Sequence, residues 1–263
     1  MIGSKEKYAL VTGASSGIGC ELARFIAQDG KDLVVVARRK DRLEELKADI
    51  VKKYGTSVIV LPQDLSVTGA PDEIFSQLQG KHIKVDVLVN NAGFGTYGPF
   101  LETDLREELE MIQVNNASLI HLTKLFLKGM VQDKSGYILN AASLCAFLPT
   151  PLESVYCSTK AFVLHFTEAL ANELQGTGVR VTCLCVGLAR TEFQSRAHLD
   201  KSRVTKRKMM DAATVAEAGY KALKRGKLIE IPGFEYKFAP WFARFAPRSM
   251  VTSVVRSQHA PLK

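Results

Sequence analysis

The chain of 263 residues is long enough for one large domain, and its composition, 46% hydrophobic and 24% charged, excludes a disordered or fibrous protein. No apolar run approaches the length of a bilayer span, so we expect no membrane-spanning segment. The net charge of +8 is concentrated in residues 180–263, which hold 17 lysines and arginines but only 6 aspartates and glutamates. This basic third either meets phosphates, an acidic partner or an anionic membrane, or is ordinary solvated surface.

The sequence lacks the residue patterns that mark several kinds of site and several cellular locations in other proteins. The five cysteines are scattered without a C-x-x-C pattern and the five histidines stand alone, so we expect neither disulfides nor a metal site. Zinc-finger spacing, a basic zipper and RNA-binding aromatic strings are missing, so we expect no nucleic-acid partner. The first residues lead directly into a strand pattern, and we expect a cytoplasmic protein without a cleavable signal peptide.

Short β-branched runs alternate with longer amphipathic stretches along the chain. We predict strands at residues 8–12, 33–37, 58–61, 85–90, 137–141, 179–185 and 228–231. We predict helices at residues 18–28, 42–54, 71–78, 105–130, 154–174 and 214–224. This alternation is typical of an α/β fold with a Rossmann-like doubly wound parallel sheet of about seven strands and helices on both faces. The absence of a linker indicates a single domain over residues 1–263.

Two segments near the C-terminus depart from this alternation. Residues 188–211 lack periodicity and are rich in basic side chains, which is typical of a lid or a mobile loop. Its charges either recognise a phosphate-bearing or acidic substrate carrier or only keep a mobile loop in solution.

The tail at residues 232–263 gathers six aromatic side chains within a dozen residues. These aromatic side chains either wall a pocket, form a subunit interface or lie on a membrane surface. We favour packing within the protein or a pocket wall, because aromatic side chains are mostly buried. Pro240 and Pro247 interrupt any long helix there, which argues against the membrane.

A glycine-rich turn, T-G-A-S-S-G-I-G at residues 12–19, lies between the first predicted strand and the first predicted helix. Glycines let the backbone approach a pyrophosphate, which the N-terminus of the helix then stabilises. This placement predicts a dinucleotide site. Its predicted cofactor-binding residues in the turn are Gly13, Ser15, Ser16, Gly17, Ile18 and Gly19.

The residues after the second strand indicate which dinucleotide is bound. NAD-binding sheets place a carboxylate there, whereas this chain has Ala37 followed by Arg38 and Arg39. Guanidinium groups bind a 2′-phosphate bidentately, so we predict NADP(H) as the cofactor, the alternative being ordinary surface charges. A carboxylate after the third strand and the N-N-A-G turn after the fourth would also contact the cofactor, although asparagines also serve as plain turn formers. These residues are Asp64, Asn91, Ala92 and Gly93.

Residues suited to proton transfer lie farther along the chain. Tyr156 and Lys160 are four residues apart on one face of a predicted helix, where the ammonium group would lower the pKa of the phenol. Ser143 follows the fifth strand and suits an oxyanion donor. Asn115 lies within the long fourth predicted helix, where an amide is a mediocre helix former.

Taken in order, T-G-x-x-x-G-x-G, N-N-A-G, the serine and Y-x-x-x-K resemble the short-chain dehydrogenase/reductases, in their single-domain, NADP-preferring branch, over residues 8–231. The resemblance implies that Tyr156 is the proton donor or acceptor, that Lys160 holds the nicotinamide ribose and that Ser143 orients the substrate carbonyl. It also implies a water-mediated proton relay at Asn115. Hydride would pass between the nicotinamide and the substrate carbon.

The resemblance extends to the rest of the cofactor site and to assembly. It implies Asp64 and Asn91 near the adenosine and ribose, and Thr12, Ser15, Gly17 and Ile18 around the phosphates. Gly187 and Thr191 match the loop after the sixth strand, whereas Val186 replaces the usual proline and puts the loop geometry in doubt. Homodimers or homotetramers through the long helices are also implied.

The sequence therefore predicts an NADPH-dependent carbonyl reductase, or an alcohol dehydrogenase in the reverse direction. We expect a small-molecule ketone or secondary alcohol, hydrophobic, of 3-oxoacyl or similar lipid-like type and possibly carrier-linked. The alternatives are a non-catalytic NADP-binding regulatory protein on the same fold, and an epimerase or dehydratase related to longer-chain family members. The fold alone does not choose the substrate.

Overall fold

A seven-stranded parallel sheet forms the centre of the computed structural model, which describes residues 7–262. Residues 1–6, for which we expect no signal peptide, and the tail's last residue lie outside the described residues. The strands are β1 (Lys7–Thr12), β2 (Asp32–Ala37), β3 (Val58–Pro62), β4 (Lys84–Asn90), β5 (Gly136–Ser143), β6 (Val179–Val186) and, after a small separate pair described below, β9 (Ile229–Glu230). Their spatial order, β3-β2-β1-β4-β5-β6-β9, confirms the predicted doubly wound sheet. The order reverses between β1 and β4, which opens a crevice at the carboxyl ends of these strands.

Helices cover both faces of the sheet. The helices are α1 (Gly17–Gln28), α2 (Lys40–Tyr54), α3 (Ala70–Gly80), α4 (Leu105–Ile112), α5 (Ser118–Gln132), α6 (Ser154–Glu173), α7 (Phe193–Arg196), α8 (Ala212–Arg225), α9 (Ala239–Phe245) and α10 (Arg248–Gln258). One apolar cluster joins α1, α2 and α8 to the sheet, and a second joins α3, α5 and α6 to the opposite face. Alternate residues of β1 enter the two clusters, which is why the strands are apolar throughout.

The helix predicted at residues 105–130 is present as an unbroken helical segment, but it contains a wide turn that the sequence did not predict. A π-helical turn, Gln113–Ala117, separates α4 from α5. The amides of this turn bond to neighbouring elements: Asn115 Nδ2 donates to Phe94 O, and Asn116 Nδ2 donates to Thr159 O at 2.9 Å. These tertiary hydrogen bonds accompany the wide turn, a feature that is frequent at functional sites.

The predicted lid region contains more structure than its sequence indicates. The strands β7 (Ala189–Arg190) and β8 (Met210–Asp211) form a two-stranded parallel pair at its ends. Between them lie α7 and two 3₁₀ turns, Leu199–Lys201 and Arg203–Lys206. The segment is therefore a folded cap rather than a structureless loop.

The tail folds into a 3₁₀ turn, Phe234–Tyr236, followed by α9 and α10. Pro240 lies in the first turn of α9, and Pro247 directly precedes α10. The prolines therefore begin helices, a role that their fixed φ suits. None of the described helices has both the length and the apolar character needed to cross a membrane.

The favoured burial of the tail aromatics within the chain is wrong for five of the six. Only Tyr236 is buried, whereas the others are exposed. The five exposed aromatic residues are Phe234, Phe238, Trp241, Phe242 and Phe245.

Candidate functional site

A cavity of about 730 Å³ lies where the strand order reverses, at the carboxyl ends of the central strands. It brings together most of the residues predicted as catalytic or cofactor-binding. These are Gly13, Ser15, Ser16, Gly17, Ile18, Arg38, Arg39, Asp64, Asn91, Ala92, Gly93, Ser143, Tyr156, Lys160, Gly187 and Thr191. Gly19 and Asn115 are not among the lining residues.

The glycines of the phosphate turn lie so close to neighbouring residues that a side chain at these positions would crowd those residues. Gly13 has a φ of +66°, and a Cβ there would lie 2.9 Å from Ala92 Cα. Gly17 has a φ of +55° and begins α1, and a Cβ there would lie 3.1 Å from Thr191 Cγ2. This bare backbone cradle at a helix N-terminus fits a dinucleotide pyrophosphate.

Thr12 ties the two sides of the crevice together. Its hydroxyl accepts from the backbone N–H groups of Asn91 and Ala92, both at 3.0 Å, and donates to Val89 O at 3.1 Å. The Asn91 side chain donates in return to Thr12 O at 3.1 Å. These bonds hold the N-N-A-G turn against the phosphate turn, so each of these residues has a structural task.

The arginines after β2 lie at one end of the cavity. Arg39 Nη2 lies 3.3 Å from Ser15 Oγ and 2.7 Å from the Glu192 carboxylate, and Arg38 Nη1 lies 3.9 Å from Asp64 Oδ2. The hydrogen bond from Arg39 lowers the pKa of Glu192. Two guanidinium groups and a serine hydroxyl lie together here, and Ala37 at the end of β2 carries no carboxylate. This arrangement fits a 2′-phosphate.

The predicted acid–base pair lies at the opposite end of the cavity. Tyr156 is buried, with its ring centroid 5.2 Å from that of Phe193. Lys160 Nζ donates to Ala141 O at 3.0 Å and lies 5.8 Å from the centroid of the Tyr156 ring. Burial lowers the pKa of Lys160 to about 8.

The pKa of Tyr156 does not follow the expectation from the sequence. Burial raises it well above its ordinary value, and the hydrogen bond with Ser143 opposes this rise. Tyr156 packs in an apolar cluster with Phe94, Met111 and Cys157, where an ionised phenol would lose its hydration. The Lys160 ammonium group donates to the backbone carbonyl of Ala141 rather than to the Tyr156 phenol.

Ser143 ends β5 and faces the loop after β6. Its hydroxyl donates to Val186 O at 3.2 Å and accepts from the Cys145 N–H at 3.3 Å. Val186, which replaces the family's usual proline, remains in register opposite Ser143. The loop therefore leaves the sheet directly beside the candidate oxyanion donor.

Asn115 lies directly behind the cavity wall. Its Oδ1 accepts from Phe94 N at 3.2 Å, and its Nδ2 donates to Phe94 O and to Thr159 Oγ1, both at 3.0 Å. A Cβ on Gly93 would lie 2.8 Å from Asn115 Oδ1 and 3.2 Å from Lys160 Nζ. In the structure, Asn115 holds the N-N-A-G turn beside the lysine.

Several residues at or beside the cavity were not predicted from the sequence. Glu153 is buried and lies 2.6 Å from His259 Nδ1, and Tyr97 donates to His259 O at 2.5 Å. The Arg196 guanidinium stacks 4.2 Å from the centroid of the Phe94 ring. No local pattern links these partners, because Glu153 and His259 are 106 residues apart.

Comparison with known proteins gives a family match and several relatives. The family described as short chain dehydrogenase matches residues 7–202. A very-long-chain 3-oxoacyl-CoA reductase of Pyrenophora tritici-repentis is 33% identical over 99% of this chain and 79% of its own length. An NADP-dependent 3-hydroxy acid dehydrogenase of Escherichia coli O157:H7 is 36% identical over 71% of this chain and 74% of its own.

The fold comparison agrees. A solved short-chain dehydrogenase from Sphingobium yanoikuyae in complex with NADPH superposes with a TM-score of 0.82 and 32% identity, covering 97% of this chain and 98% of that one. The family match spans the phosphate turn, the N-N-A-G turn and the Y-x-x-x-K helix that build the cavity. The protein therefore belongs to the short-chain dehydrogenase family and is an oxidoreductase.

Proposed function

We propose that the protein is an NADP(H)-dependent carbonyl reductase that also oxidises the corresponding secondary alcohol. One observation carries the proposal: a single cavity holds the arginine pair at one end and Tyr156, Lys160 and Ser143 at the other. The glycine-rich turn lies between the two ends, where the pyrophosphate of a bound dinucleotide would be. The NADPH-bound relative and the NADP-dependent relative support the choice of cofactor.

The chain's own residues would divide the work as follows. Ser143 donates a hydrogen bond to the substrate carbonyl oxygen and fixes its direction. Tyr156, which is protonated at neutral pH, gives its proton to that oxygen as the carbonyl is reduced. Lys160 would hold the nicotinamide ribose and stabilise the phenolate that Tyr156 becomes when it has given up its proton. When bound, the nicotinamide supplies the hydride, or accepts it in the oxidative direction.

Asn115 has a positioning task in this proposal. Its hydrogen bonds to Phe94 and Thr159 keep the turn at Gly93 beside Lys160. A water bound near this turn would link Lys160 to solvent and return the proton to Tyr156. We propose this relay from the family resemblance and from the closeness of Asn115 to the lysine.

The substrate we propose is a hydrophobic ketone, of 3-oxoacyl or lipid-like type. The cavity beyond Tyr156 offers apolar side chains among polar ones, and the apolar ones include Leu148, Phe193, Leu199, Val204 and Val255. The relatives named above act, by their names, on 3-oxoacyl-CoA and on 3-hydroxy acids. Arg207 at the same cavity supports a carrier-linked substrate whose phosphates would lie against the cap.

Loss of NADPH absorbance with a panel of ketones and 3-oxoacyl thioesters tests the proposal. We expect Tyr156→Phe to lower kcat by roughly 100-fold or more, because it removes the general acid, while the dissociation constant of NADPH stays unchanged. A Tyr220→Phe variant, whose hydroxyl donates to Asp29 at 2.8 Å away from the cavity, is the matched control. Turnover that survives in Tyr156→Phe would contradict the assigned role.

The same panel separates the rival functions. A regulatory protein would bind NADPH tightly and reduce none of the ketones. An epimerase or dehydratase would convert its substrate without net consumption of NADPH. Tyr156 and Lys160 are both present in the cavity, which favours the reductase.

We also propose a homo-oligomer and a cytoplasmic location. Exposed apolar residues Leu105, Leu109 and Ile112 follow one face of α4, and Phe162 is exposed on α6. These are the helices on which the family resemblance places subunit contacts, and light scattering coupled to gel filtration would give the subunit number. All five cysteines are free thiols, which fits a reducing compartment.

A further inference from the structure

The tail presents an aromatic stripe to solvent. Phe234, Phe238, Trp241 and Phe245 are spaced by four, three and four residues, from the 3₁₀ turn Phe234–Tyr236 to the end of α9. Phe234, Trp241 and Phe245 are 73%, 66% and 72% exposed. The stripe contains two ring contacts, Phe234 with Phe238 at 5.4 Å and Trp241 with Phe245 at 5.7 Å between centroids. A contiguous exposed patch of this kind marks an interaction surface.

The charge around the stripe is predominantly positive, and Glu235 is the one acidic residue of the segment 234–248. Residues 236–263 contain five lysines and arginines and neither aspartate nor glutamate. Lys237, Arg244 and Arg248 are exposed beside the aromatic rings, and within residues 7–262 none of the three forms a salt bridge. Cations left without carboxylate partners around exposed rings match a surface that is anionic outside and apolar beneath.

The stripe also borders the catalytic cavity. A groove between α9 and the loop after β5 is lined by Trp241, Phe245 and Arg248. Cys145, Leu148 and Thr150 line both this groove and the cavity that holds Tyr156. A lipophilic molecule at the stripe would therefore be next to the candidate active site.

We propose that residues 234–248 dock the protein onto the surface of an anionic lipid bilayer. The aromatic rings would enter the boundary between headgroups and acyl chains, and the three cations would face the lipid phosphates. Docking rests on the tail alone. The delivery of a lipophilic ketone from the bilayer into the groove rests in addition on the proposed function.

The sequence supplies a built-in probe, because Trp241 is its only tryptophan. We expect vesicles of equal parts phosphatidylglycerol and phosphatidylcholine to shift the Trp241 emission to shorter wavelength and to co-sediment the protein. Pure phosphatidylcholine vesicles should do so far more weakly, and added salt should reverse the binding. Neither readout needs turnover, so failure of docking and failure of the reductase proposal remain distinguishable.

A charge-neutralised variant tests the electrostatic part. Each cation near an anionic surface contributes roughly fivefold to partitioning, so removal of three should weaken vesicle binding by roughly 100-fold. The test variant is Lys237→Gln/Arg244→Gln/Arg248→Gln. The control, with the same change of net charge on α2 and α5, is Lys52→Gln/Lys124→Gln/Lys128→Gln. An unchanged NADPH dissociation constant shows that the test variant is folded.

Three results would overturn the proposal. The first is an unchanged Trp241 emission and no co-sedimentation with the anionic vesicles. The second is equal vesicle binding by the test and control variants. The third is a second copy of the chain as the occupant: Trp241 emission would then already be shifted in buffer, would return to longer wavelength on dilution, and would not respond to vesicles.

Discussion

Arg39 lies at the cofactor end of the cavity and is joined to the cap by its ion pair with Glu192. Its guanidinium lies 2.7 Å from Glu192, and a 2′-phosphate would compete with that carboxylate for the same group. We expect Arg39→Ala to weaken NADPH binding by roughly 10- to 100-fold, because a charged hydrogen bond is lost, and to leave NADH binding nearly unchanged. Fluorescence titration with both nucleotides measures the effect.

Glu192 gives the matched control for this prediction. Glu192→Gln removes the competing charge, so NADPH should bind a few-fold more tightly while NADH does not. An equal loss of affinity for both nucleotides in Arg39→Ala would show instead that the arginine supports the turn as a whole.

Lys160 makes folding stability depend on pH. Its pKa is about 8 in the folded protein and about 10.5 when unfolded. Below pH 8 the lysine is charged in both states and its burial costs on the order of 3 kcal/mol, whereas above pH 10.5 it is neutral in both and this cost vanishes. The cost therefore declines as pH rises from 8 to 10.5.

We expect Lys160→Met to stabilise the protein at pH 7 and to lose this advantage by about pH 10. Urea unfolding of the two proteins at both pH values measures the difference in free energy. The comparison cancels other titrating groups, such as the thiols. A difference that stays constant with pH would mean that the ammonium group is well solvated through its bond to Ala141.

At the scale of elements, the last described residues clasp the cap over the cavity. Ser202 forms a β-bridge with Pro261, and the Leu262 N–H donates to Lys201 O at 2.7 Å. The buried Glu153 carboxylate holds the His259 ring at the same place. The segment after α10 therefore fastens the cap to the loop that precedes the Tyr156 helix.

We expect His259→Ala to loosen this clasp, because it leaves the Glu153 carboxylate buried without its partner. The KM for the ketone should rise by roughly tenfold, while the NADPH dissociation constant stays unchanged, since the clasp is distant from the arginine pair. His165→Ala, at an exposed site on α6, is the control. Equal KM values in the two variants would contradict a role for the clasp in closing the cap.

The elements differ in how far the sequence predicts them. Apolar runs set the sheet strands because both faces of a parallel sheet are buried, and the glycine turn and Y-x-x-x-K pair are local patterns. The π-helical turn depends on hydrogen bonds of Asn115 to Phe94, which no local pattern reveals. The sequence alone does not distinguish exposed aromatic residues from buried ones. It therefore does not predict that Trp241 is exposed to solvent.

At the scale of the whole molecule, the residues that line the cavity come from most of the chain, between Gly13 and His259. A ligand bound there should therefore stabilise the fold as a unit. At a concentration 100 times its dissociation constant, a ligand adds about 2.7 kcal/mol to the free energy of unfolding. NADPH should therefore raise the melting temperature by roughly 5–10 °C. NADH at the same concentration should raise it less, because the arginines would find no 2′-phosphate, and equal shifts would contradict the cofactor assignment.

The clasp at residues 259–262 also sets an order of events during synthesis. These residues emerge from the ribosome long after every residue of the phosphate turn and the arginine pair. Domains begin to fold from the N-terminus as they are made. A nascent chain can therefore fold its nucleotide-binding half while the cap still lacks its fastening, which arrives only when residues 259–262 emerge.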